Sequence, residues 1–155
     1  MKTKIISKLL LGIGLVFVLG SAITQVRGDS PAISSSPVVS IHSTGDVTRG
    51  KTGSFVVNMD KSTLAAPTYV NVHVSGTAVA GVDYVAVVSP TLVGASGYGV
   101  ISIKTFPNPR GSSANQRYSV VVTLQPGPGY TVSASAASSS AIMWIEPCVS
   151  AAGCQ

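Results

Sequence analysis

Carboxylates, cysteines and helical stripes are all scarce in this chain. Only 10% of its 155 residues are charged, and five residues are acidic. Two of those acids, Asp83 and Glu146, sit in or beside the second half of the chain. That is too thin a supply for paired-carboxylate hydrolysis. Two cysteines with no histidine near them in sequence do not make a tetrahedral metal set. No Gly-x-Ser-x-Gly elbow marks a nucleophilic serine. No βαβ alternation appears, which argues against a parallel α/β sheet. The 45% hydrophobic share is too high for a disordered chain, and the length suits one domain.

The formal charge of +5 suggests nucleic acid, but its distribution does not. Lys2, Lys4, Lys8 and Arg27 lie before any acid, and all five acids fall at or after Asp29. Beyond residue 28, six basic residues face five acids, a net of +1. No basic cluster remains to neutralise a row of phosphates, so no nucleic-acid partner is expected.

Residues 1–28 have the parts of a secretory signal peptide. Three lysines precede an apolar run, Leu9 to Leu19, broken by Gly12 and Gly14, and small residues follow. Cleavage is expected after Ala22 or after Gly28. The competing reading is an uncleaved anchor, since residues 9–26 carry no charge and just reach a spanning length. An anchor of that kind is the one membrane contact expected. Export is expected to place the chain outside the cytoplasm, secreted, in a periplasm or at the cell surface, in an oxidising compartment. Cys148 and Cys154 then form a disulfide across a five-residue ring in the tail, 148–155.

Residues 29–36 read as a Ser/Pro-rich linker. From 37 to 147 the chain alternates apolar and polar residues between turn signals. Strands are expected near 38–42, 54–60, 68–75, 84–88, 100–106, 117–125 and 141–146. Residues 94–99 read as a hairpin loop, and the Ala/Ser stretch 133–140 as a loop or strand approach. About seven short strands and no apolar helical stripe predict an all-β, antiparallel sandwich of two sheets. His42 and His73 fall on outward strand positions and are expected to be solvated.

The stretch Gly76-Thr-Ala-Val-Ala-Gly-Val-Asp-Tyr84 resembles the Gly-Thr-Ala-x-x-Gly-x-Asp-Tyr motif of the Calx-beta domain family. Val38-Val-Ser-Ile with Gly50-Lys-Thr-Gly-Ser-Phe-Val-Val-Asn-Met resembles that family's opening strands. Arg117-Tyr-Ser-Val-Val-Val-Thr-Leu and Ser140-Ala-Ile-Met-Trp-Ile-Glu resemble two later ones. The likeness covers roughly residues 37–147 and implies an immunoglobulin-like sandwich in an extracellular or adhesive setting.

The resemblance also implies calcium, which requires six to eight oxygen ligands. Carried over by position, Asp83 and Glu146 are retained as calcium candidates. Arg49, Pro107, Asn108, Asn115, Gln116 and Arg117 stand where further acids would be. The expectation is therefore no cofactor, with a calcium-dependent surface module as the alternative. Asp83 has a simpler role open to it, capping the turn around Gly81. In the closing strand the resemblance points Ala141, Met143 and Ile145 inward and leaves Ile142 and Trp144 as interface candidates. The opposite register, with Ile142 and Trp144 in the core, is favoured by the cost of exposing a tryptophan. The function expected is a non-enzymatic structural, adhesive or protein-binding module for an extracellular or cell-surface protein. A small secreted hydrolase or inhibitor is the further alternative.

Overall fold

Apolar side chains at every second position make strands, and ten of them form among the described residues. The computed structural model describes residues 36–60, 66–107 and 115–148. In order, these are β1 (Val38–Ser43), β2 (Val47–Thr48), β3 (Thr52–Met59), β4 (Thr68–Val70), β5 (Val72–Ser75), β6 (Thr91–Val93), β7 (Tyr98–Lys104), β8 (Tyr118–Leu124), β9 (Thr131–Val132), one helical turn α1 (Ala136–Ser139) and β10 (Ser140–Glu146). The expected signal peptide, 1–28, lies outside the described residues, as does nearly all of the linker.

Two four-stranded sheets carry the fold, ordered β7-β3-β1-β9 and β2-β10-β8-β5, and a two-stranded sheet pairs β4 with β6. The first sheet points Val39, Ile41, Phe55, Val57, Ile101 and Ile103 inward; the second points in Val120, Val122, Leu124, Met143 and Ile145. All of these belong to one buried cluster, and β1 packs against β10 and β8 across it. The described residues are all-β apart from the single turn of α1.

The structure corrects four expectations. Residues 68–75 are two strands, broken at Asn71 and placed in different sheets. Residues 84–88 form no strand. Tyr84 makes isolated bridges to Ala80 and Thr105, and Val85 donates its N–H to the Lys104 carbonyl. Alternation cannot separate a strand from a segment that only skirts one. Residues 136–139 take a helical turn, because alanine suits a helix and a single turn needs no buried stripe. The pairing is not wholly antiparallel, since β1–β9 and β10–β2 are parallel. Periodicity reports which face is buried and is silent on the direction of a neighbour.

Candidate functional site

Each marked position of the Gly76–Tyr84 motif does structural work at the end of β5. Gly76 has a φ of +121°, and a Cβ there would collide with the Ser119 carbonyl. Glycine is the residue that tolerates both conditions. Thr77 and Ser119 then lock together. Thr77 N–H donates to Ser119 Oγ at 3.1 Å, and Ser119 N–H donates to Thr77 Oγ1 at 2.8 Å. Ala78 is buried and donates its N–H to the Ser119 carbonyl at 2.9 Å. Gly81, with a φ of +80°, turns the chain so that its N–H meets the Tyr84 carbonyl.

Asp83 closes this loop and carries charge into the interior. Its Oδ2 accepts the Val79 N–H at 2.7 Å, the turn-capping role. Its Oδ1 lies 3.5 Å from Nη1 of Arg49, and both side chains are 0% exposed. Nε and Nη1 of Arg49 have no hydrogen-bond acceptor, so the contact is an ion pair without hydrogen-bond alignment. Nη2 donates to the Gln116 carbonyl at 3.4 Å, and the guanidinium sits 5.1 Å from the Tyr118 ring centroid. Burial first, and then the Asp83 charge, hold the Tyr84 phenol above its ordinary value of 10.0.

Glu146, the second calcium candidate, meets the other arginine. Arg117 Nη2 lies 2.6 Å from Glu146 Oε1 and 3.4 Å from Asp46 Oδ2. The same guanidinium lies over the Trp144 ring, 4.9 Å from its centroid, and Asp46 Oδ1 accepts the Trp144 N–H at 2.9 Å. These groups are partly solvated, so the pairing orients the side chains more than it stabilises the fold. The backbone joins the two carboxylate neighbourhoods, since Arg49 N–H donates to the Glu146 carbonyl at 3.2 Å. Among the described residues, no three His, Cys, Asp or Glu side chains gather as a metal set would.

The closing strand takes the register that the family likeness implied, and the core placement of Ile142 and Trp144 is corrected. Met143 and Ile145 are buried. Ile142 is exposed, and Trp144 is half-buried on the outer face under Arg117. The Arg117 guanidinium covers a ring face that the core would otherwise cover. His42 and His73 are both exposed, and His42 Nδ1 shares a hydrogen bond with Asn58 at 3.1 Å. Cys148 is not a free thiol, while its expected partner Cys154 lies outside the described residues.

Sequence reasoning missed Arg49 as a buried partner. Thirty-four positions separate it from Asp83, and nothing local signals that a lone arginine after a two-residue strand turns inward. No protein-family model matches the chain. No curated protein matches it either.

Proposed function

We propose that the chain is a secreted, non-enzymatic, Calx-beta-like module. In this reading it is an immunoglobulin-like sandwich with a structural, adhesive or protein-binding role toward an extracellular or cell-surface protein. It works without bound calcium. One observation carries this: the two carboxylates that the family likeness would offer to calcium each face an arginine, Asp83 inside and Glu146 at the surface. A guanidinium already supplies the positive charge a dication would bring, and a second cation there meets repulsion. The polar groups of the 76–84 loop also turn inward on the fold, which suits a frame and not a catalytic loop.

The test is thermal unfolding in chelator and in millimolar calcium. A site loaded a hundredfold above its Kd would add about 2.7 kcal/mol, a rise of several degrees for a domain of this size. The expected shift is under about one degree, because linkage without binding is zero. A rise of about four degrees or more, abolished by Asp83→Asn, would make the calcium-dependent module the better reading.

A further inference from the structure

The segment that follows β5 carries its apolar side chains outward. From Ala78 to Val88 the only polar side chains are those of Asp83 and Tyr84, and both residues are buried. Val79 is 48% exposed, Val82 40% and Val85 45%. Ala80, Gly81 and Ala86 are exposed among them. The backbone gathers these residues into one turn. The Val79 carbonyl accepts the N–H of Val82 at 3.1 Å and that of Asp83 at 2.8 Å, and Gly81 N–H donates to the Tyr84 carbonyl at 2.8 Å. Asp83 is held inward against Arg49, which leaves Val79 and Val82 on the outer side of the turn. Single exposed apolar residues are ordinary, but a turn built almost wholly of them marks an interaction surface.

Two lysines stand behind the turn. Val85 N–H donates to the Lys104 carbonyl at 2.9 Å, and Thr105 N–H donates to the Lys51 carbonyl at 3.0 Å. Both lysine side chains are exposed. The acids of the described residues are engaged elsewhere. Asp83 is buried against Arg49, Asp46 and Glu146 meet Arg117, and Asp60 lies past the far end of β3. An apolar tip with cations behind it suits an anionic bilayer. The valines enter the boundary between headgroups and acyl chains, and the ammonium groups stay level with the phosphates. A protein partner fits less well. Protein contacts centre on aromatic and arginine anchors within a polar rim, and this turn offers valine, alanine and glycine.

We propose that the 79–85 turn docks the chain on an anionic lipid surface, with Val79, Val82 and Val85 in the interface and Lys51 and Lys104 at the headgroups. This is a membrane contact distinct from the anchor that an uncleaved residue 1–28 segment would give, and it goes beyond the protein-binding role. Three valines and two charges make a weak, reversible contact of about 10⁴ M⁻¹, comparable with that of a single acyl chain. The lysines supply the positive charge, so no calcium bridge is involved.

Co-sedimentation of the exported, processed chain with vesicles, in chelator, tests it. The vesicles are phosphatidylcholine alone or with about 30% phosphatidylserine, at about 1 mM lipid, where a contact of about 10⁴ M⁻¹ binds most of the chain. The wild type is expected to pellet with the anionic vesicles and far less with the neutral ones. Lys51→Gln and Lys104→Gln are each expected to weaken binding about fivefold. Val82→Asp is expected to weaken it tenfold or more, and Val82→Leu, one methylene longer, to tighten it by up to about fourfold. Melting temperatures are expected to stay unchanged in all four, because these side chains are exposed. A wild type that stays in solution overturns the proposal and leaves the turn to a protein partner. Equal binding to neutral vesicles overturns the anionic assignment. Binding that survives Val82→Asp overturns the turn as the docking site.

Discussion

Arg49 and Asp83 show how an ion pair in an apolar interior behaves as one unit. Each desolvated charge is tolerable because the other is present. Asp83→Asn keeps an acceptor for the Val79 N–H and removes the charge facing the buried guanidinium. Breaking such a pair costs about 3–5 kcal/mol. At roughly 4 °C per kcal/mol for this size, the expected fall in melting temperature exceeds about 10 °C. Adding Arg49→Met is expected to recover much of that loss, since a similar apolar volume needs no counter-charge. Additive losses in the double variant would show that the two side chains act independently.

Tyr84, one residue along, gives the alkaline limb. Its proton is held more tightly in the folded chain than in the unfolded one. The stabilisation is complete below the unfolded value near 10 and drains as pH rises through the folded value. Urea midpoints measured from pH 8 to 11 should decline less steeply in Tyr84→Phe than in the wild type. Parallel declines would remove Tyr84 as the source.

At the scale of elements, the informative point is the switch of sheets between β4 and β5. Asn71 leaves one sheet and enters the other, and its N–H donates to the Tyr130 hydroxyl at 3.0 Å. That hydroxyl in turn donates to the Gln125 carbonyl at 2.6 Å. One phenol thus satisfies two backbone groups at a corner where neither has a strand partner. Tyr130→Phe keeps the buried ring and strands both groups. The expected loss is about 1–3 kcal/mol, read as a lower urea midpoint with an unchanged slope. A changed slope would point instead to a rearranged corner.

For the whole molecule, the expected Cys148–Cys154 ring encloses only the five residues between the two cysteines. By loop entropy so short a closure adds ~2 kcal/mol or less. Thiol labelling of exported protein without reductant should find neither cysteine free, and reduction should lower the melting temperature only modestly. Two labelled thiols in correctly exported protein would refute the ring. Collapse of the fold on reduction would show that the tail holds far more than its loop entropy allows.

What the amino-acid order determined by itself was the set of inward positions on β3, β7 and β8. Phe55, Val57, Ile101, Ile103, Val120 and Val122 are buried as their alternation requires, because a pleat sends successive side chains to opposite faces. The turn role of Asp83 was legible for a similar reason, since the capped N–H is four residues away. The tertiary structure alone decided the rest. Pairing direction, the break at Asn71, the inward turn of Arg49 and the arginine cover on Trp144 all depend on groups tens of residues distant. Local preference carries no information about such partners. They are selected when burial leaves a charge, a polar backbone group or an aromatic face needing one, and the folded chain alone brings it within reach.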